Sequence, residues 1–222
     1  MEFEEKNANK AVLKGEIISD AVFSHEIYKE GFYEMKMQVK RLSNQFDILP
    51  LTISERLIEK SRLQIGSELS VSGQFRSYNK IVDGKSKLML TVFVREVLDY
   101  ESVNNPNEIA LNGYICKKPI YRTTPFNREI ADILLAVNRA YNKSDYIPCI
   151  AWGRNARFAK GLELGEKVTL NGRIQSREYQ KKISDDCFKN FTAYEVSVGS
   201  ICSESFGSLC HDIISDNIYD NI

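Results

Sequence analysis

Asn9-Lys10-Ala11-Val12-Leu13-Lys14-Gly15-Glu16-Ile17 and Asn107-Glu108-Ile109-Ala110-Leu111-Asn112-Gly113-Tyr114-Ile115 are two versions of one segment. Asn opens each, Leu holds the fifth place, Gly the seventh and Ile the ninth. The same spacing lays Met35-Lys36-Met37-Gln38-Val39-Lys40-Arg41 on Ile133-Leu134-Leu135-Ala136-Val137-Asn138-Arg139. It also lays Asp47-Ile48-Leu49-Pro50 on Asp145-Tyr146-Ile147-Pro148. After one inserted residue, Leu63, Gly66, Gly73 and Ser77 fall on Leu162, Gly165, Gly172 and Ser176. A register held this far marks an internal repeat. It divides the chain into copies at 1–103 and 104–202, joined around Asn104, Asn105 and Pro106, with a tail at 203–222.

Each copy reads as the same series of elements. A strand containing Gly comes first (Leu13 to Ile18; Leu111 to Cys116). A second strand alternates through Met35, Met37 and Val39, or through Ile133, Leu135 and Val137, which is the period of a half-buried strand. A mostly apolar third strand follows (Phe46 to Ile53; Tyr146 to Trp152), then a short helix (Glu55 to Leu63; Asn155 to Leu162). The fourth strand alternates through Leu69, Val71, Gly73 and Phe75, or Val168, Leu170, Gly172 and Ile174. A polar hairpin leads to the fifth (Leu88 to Val97; Phe191 to Ile201), with Asp83-Gly84 as a turn signal in the first copy. Five strands with one short helix between the third and fourth is the order of the OB-fold, and interior Gly suits its sharp bends. The expected fold is all-β: two tandem five-stranded OB-fold barrels.

Composition narrows the function. The chain has 222 residues, 43% hydrophobic and 27% charged, so it is globular with apolar mass for two cores. No apolar run reaches the ~20 residues of a membrane helix. The charged first ten residues have no signal-peptide character, so a cytoplasmic, membrane-free protein is expected. Five cysteines form no C-x-x-C pair, and His25 and His211 complete no zinc-ligand spacing, so no metal or cofactor is expected. No nucleophile, base and acid fall into a catalytic set, and Gly84-Lys85-Ser86 lacks the first Gly of a phosphate loop. An enzyme is not expected.

The zero total charge hides an asymmetry. Residues 1–103 carry 15 basic and 16 acidic side chains, residues 104–202 carry 15 and 10, and the tail carries four acids and no base. The second copy also has aromatics beside its cations, the pairing that binds single strands through base stacking and phosphate neutralisation. The aromatics are Tyr141, Tyr146, Trp152 and Tyr179. The cations are Arg139, Lys143, Arg154, Arg177, Lys181 and Lys182. Tyr146 and Trp152 are separated by an even number of residues, so they share one face of a strand.

The second copy resembles the bacterial single-stranded DNA-binding (SSB) family. The similar segments are Asn107 to Gly113, Ala131 to Val137, Tyr146 through Arg154, and Gly165 to Tyr179. The resemblance implies stacking by Tyr141, Tyr146, Trp152 and Tyr179, and backbone contacts by Arg154 and Arg177. It implies single-stranded DNA as partner, in replication, recombination, repair or plasmid transfer. It also implies a homo-oligomer, with a dimer of two-OB chains as one form. The chain departs from the family in using Tyr at three of four stacking places, in Pro148 at a cationic place, and in lacking the Gly/Pro/Gln-rich linker and the Pro-Phe tip. The acidic tail, with Leu209, Ile213 and Ile214, reads as a helix packed on the barrels or as a docking tip for replication or recombination proteins.

The first copy lacks the stacking set. Ser43, Ile48, Ser54 and Lys80 stand where the second has Tyr141, Tyr146, Trp152 and Tyr179. It reads as a structural or assembly domain. The alternative for the whole chain is an OB-fold interaction module, a primosome-type accessory with little DNA affinity of its own.

Overall fold

The computed structural model describes residues 8–61, 63–82, 84–184 and 187–204. The acidic tail beyond 204, with its expected helix or docking tip, lies outside the described residues. The elements in chain order are β1 (Asn9–Ile17), β2 (Val22–Ile27), β3 (Glu30–Lys40), β4 (Phe46–Ser54), α1 (Glu55–Ser61), β5 (Glu68–Val82) and β6 (Lys85–Leu98). A 3-10 turn at Tyr100–Ser102 precedes β7 (Asn107–Thr123), β8 (Glu129–Arg139), β9 (Lys143–Trp152), α2 (Gly153–Lys160), β10 (Lys167–Ser184) and β11 (Cys187–Ser203).

Two compact units result, and they do not follow the sequence halves throughout. The first-repeat unit contains Lys10–Glu108 and also Ile174–Glu195, the long hairpin of the second repeat. The second-repeat unit contains Ile109–Arg173 with its described flanks at 8–9 and 196–204.

Strand pairing is the same in both repeats. β1 pairs antiparallel with β5 and, at its end, with β3; β3 pairs with β4; β4 runs parallel to β6; and β6 pairs with β5. In the second repeat β7 pairs with β8 and β10, β8 with β9, β9 parallel with β11, and β11 lies beside β10. The alternating residues face inward as the sequence predicts. Met37, Val39, Leu49, Leu51, Ile53, Val71 and Phe75 are fully buried in one core. Leu135, Val137, Ile147, Ala151, Val168 and Leu170 are fully buried in the second-repeat unit. α1 follows β4 and α2 follows β9, and α2 turns Ala156 and Ala159 inward.

The repeated residues are largely structural. β1 pairs with β5 along one edge and, from Glu16, with β3 along the other, which brings backbones together at Gly15. A Cβ there would stand 2.2 Å from the carbonyl oxygen of Gln38, and one on Gly113 would stand 2.5 Å from that of Ala136. Gly73 and Gly172 meet Phe93 and Ser197 carbonyl oxygens in the same way, at 2.3 and 2.2 Å. Asn107 donates from Nδ2 to the Ile174 carbonyl at 2.7 Å and accepts from the Ile174 amide at 2.9 Å. Asp47 is buried and pairs with Arg41; it also accepts from the Ser176 amide at 2.7 Å. Arg139 and Asp145 repeat the ion pair at 3.3 Å.

Two features differ from the sequence expectation. β2 is an added strand, hairpinned to β3 through Tyr28 and Lys29, both at positive φ as a type I′ turn demands. Its residues are all exposed, so no apolar alternation marks it. The hairpins expected as loops are regular strands out to Val82 and Ser184. The backbone ladder, such as Lys80↔Lys87 to Val82↔Lys85, carries these arms without a core.

Gly172→Ala forces a methyl onto a backbone oxygen, an overpacking that costs about 1–3 kcal/mol. Gly161, whose added Cβ meets nothing nearer than 3.5 Å, is the control. Thermal melts are expected to fall for Gly172→Ala and to stay within a degree or two for Gly161→Ala.

Candidate nucleic-acid interface

In the second-repeat unit, β8 and β9 lie in register from Ile130↔Trp152 to Arg139↔Lys143. Side chains alternate across the sheet, so Tyr146, Pro148 and Trp152 leave one face while Ile147, Cys149 and Ala151 enter the core. Tyr146 is 47% exposed and Trp152 40% exposed. Trp152 is also the residue before α2, which fixes it at the strand end. Ile130, opposite it, is buried.

Tyr141 stands almost fully exposed in the turn between β8 and β9, at φ 64° and beside Asn142 at φ 53°. That conformation favours Gly or Asn over an aromatic residue, and it holds the ring away from the sheet. Lys143 begins β9 and Arg154 stands in the first turn of α2; both are exposed. Arg139 differs. It is half-buried and committed to Asp145. Arg157 is paired too, with Glu129 at 3.2 Å.

Tyr179, Arg177, Lys181 and Lys182 lie on β10 in the hairpin that belongs to the first-repeat unit. By compact unit Tyr179 counts with the first-repeat unit, and Tyr141, Tyr146 and Trp152 count with the second-repeat unit. Tyr179 has its own surroundings. Its ring stacks on Phe191 with centroids 5.7 Å apart and planes 26° apart. The Arg177 guanidinium lies 5.7 Å from the Tyr179 ring centre and 3.7 Å from a Glu195 oxygen. Lys87 and Lys189 approach Phe191 at 5.2 and 5.8 Å. Two stacked rings thus lie among three cations.

Phe191 and Lys87 are absent from the sequence-derived set. Phe191 reads as an ordinary start to a strand. Lys87 belongs to the other repeat, so only the folded chain brings it here. Tyr114 on β7 is a third addition, at 39% exposed. Its signal was present: Leu111, Gly113 and Ile115 point inward, so residue 114 points out.

The first repeat offers a different surface. Where the second has Trp152, Ser54 opens a cleft of about 410 Å³ with Phe32, Phe93, Leu57, Arg56 and Arg95 among its walls. Arg76 lies 3.9 Å over the Phe93 ring, and Arg56 is held by Glu30 through two hydrogen bonds. That pairing keeps the Glu30 carboxyl below its usual range. The Tyr78 hydroxyl donates to Glu34 at 3.3 Å; burial first, and Glu34 next, push its ionisation up.

Residues 106–201 match the model of the single-strand binding protein family. That match takes in the second repeat of the chain. The relatives include the single-stranded DNA-binding protein 1 of Staphylococcus aureus, 35% identical over 83 residues, 34% of this chain and 50% of the relative. Another is the single-stranded DNA-binding protein 1 of Streptococcus agalactiae, 31% identical over 107 residues, 45% of this chain and 60% of the relative. The chain thus spans about half the length of the curated relatives it matches. The wild-type single-stranded DNA binding protein of Thermus aquaticus has a similar fold at TM-score 0.62 and 19% identity. That likeness covers 88% of this chain and 92% of the other, so it takes in both repeats and supports the tandem OB reading. Among the described residues no helix is long and apolar enough to cross a membrane.

The ion pairs separate the cations by role. Arg139→Ala takes one partner from the buried Asp145 carboxylate, a loss that costs about 1–3 kcal/mol. Arg154→Ala, on the surface, is expected within about 0.5 kcal/mol. Urea unfolding of both variants checks the contrast; equal stability would make Arg139 a surface cation like the other.

Proposed function

We propose that this chain binds single-stranded DNA with little sequence preference, stacking bases on exposed aromatics and neutralising phosphates with nearby cations. One observation carries the reading: Tyr146 and Trp152 leave the same face of β9, both substantially exposed, inside the segment that matches the family. Buried aromatics at those places would have meant a core and no platform.

The residues take distinct parts. Tyr141, Tyr146 and Trp152 offer rings in the second-repeat unit, with Lys143 and Arg154 as cations. Arg139 supports the turn that carries Tyr141 and adds charge there. Tyr179 with Phe191, Arg177, Lys87, Lys189, Lys181 and Lys182 makes a second platform in the first-repeat unit. Each stacked base contributes ~1–3 kcal/mol, so several modest platforms give useful affinity together. The first repeat serves mainly to hold the hairpin, since Asp47 and Arg41 engage Ser176 at its base.

Trp152 is the only tryptophan in the chain, so it reports on its own site. Titration with an oligo-dT of about 35 nucleotides is expected to quench its fluorescence. Raising salt should weaken binding with a slope of roughly −0.7 per phosphate contacted, and duplex DNA should bind poorly. No quenching together with no gel shift would leave the chain as an interaction module on the same fold.

A further inference from the structure

Tyr114 has no counterpart in the stacking set, yet register places it in line with Tyr146. Lys167 on β10 pairs with Tyr114 on β7, Tyr114 with Ala136 on β8, and Ala136 with Tyr146 on β9. Directly paired residues emerge on the same face of a sheet. The row across four strands therefore reads cation, aromatic, methyl, aromatic. Its members all belong to the second-repeat unit.

The dimensions of the row follow from strand spacing. Adjacent strands lie about 4.8 Å apart, so the two tyrosine backbones stand roughly 9.6 Å apart. A flat ring held between two others needs their planes about 7 Å apart, twice a van der Waals contact. Ordinary rotamers lean the rings over that difference. Ala136 between them puts up a single methyl. Beyond it on the same face the next row brings Leu134 opposite Pro148, an apolar neighbour for the edge of a base.

We propose that Tyr114 and Tyr146 form a slot that clamps one nucleobase over Ala136. The proposal rests on the single-strand reading and sharpens it. A base is the occupant because the slot opens onto the face that carries Trp152, six residues along β9 from Tyr146. At about 3.3 Å per residue that is roughly 20 Å, a path on which successive bases of one strand can meet successive rings. Lys167 heads the row but is paired to Glu204 at 2.7 Å, so no phosphate contact is assigned to it.

Two variants empty the slot by opposite means. Tyr114→Leu removes one wall, and Ala136→Leu fills the space. Each is expected to weaken oligo-dT binding about tenfold, the effect of one lost stacking contact. The double variant should be little worse than either single one, because both disable the same slot. Circular dichroism melts check that the variants fold. Photo-crosslinking of the unaltered chain to oligo-dT containing 5-iododeoxyuridine is expected to label Tyr114, and this needs no variant to fold. Affinities within about twofold of wild type for both variants, with Tyr146→Leu weakened and no label on Tyr114, would overturn the slot and leave the single-strand reading standing. A wild-type chain that binds no oligo-dT would overturn both.

Discussion

Each repeat depends on a place where two backbones come closer than any side chain allows. At Gly15 a second neighbour closes on the strand from its other edge, with the Gln38 carbonyl oxygen where a Cβ would be. Gly113 repeats the arrangement against Ala136. Without that close approach β1 and β7 could not pair on both sides, and the inward faces of five strands would not meet around one core. The direct result is functional as well. The close approach sets the register of β7 on β8, and that register aligns Tyr114, Ala136 and Tyr146.

Around this constraint the repeat keeps a small set of polar fasteners. Asn107 satisfies both backbone groups of Ile174, where strand geometry would otherwise leave a donor and an acceptor buried. The Arg41–Asp47 pair closes the turn between β3 and β4 and holds Ser176. These identities survive in both copies because they serve the fold. The aromatics differ between copies because they face outward, where packing does not choose the residue. Ser54 and Trp152 show this plainly: the backbone place is the same, one opens a cleft and the other presents a ring.

Much of this was legible in the sequence. Period-two alternation located the core strands, and the repeated glycines located the bends. The even spacing of Tyr146 and Trp152 placed both on one face before any coordinates. What escaped has a common physical cause. β2 and the long hairpin arms are held by backbone hydrogen bonds and carry no apolar period to read. Lys87 meets Phe191 only through the folded chain. Arg139 looked like one more surface cation, since nothing local distinguishes it from Lys143 except its recurrence, with Asp145, in the other copy. The division into halves at 103 followed chain order, whereas packing groups the hairpin 174–195 with the earlier copy.

That grouping changes what it means to call the protein a tandem. β10 is one unbroken strand whose first seven residues count with one compact unit and whose remainder counts with the other. A cut at the midpoint of the sequence would therefore separate Asp47 from Ser176 and strip the earlier copy of a piece it cannot supply itself.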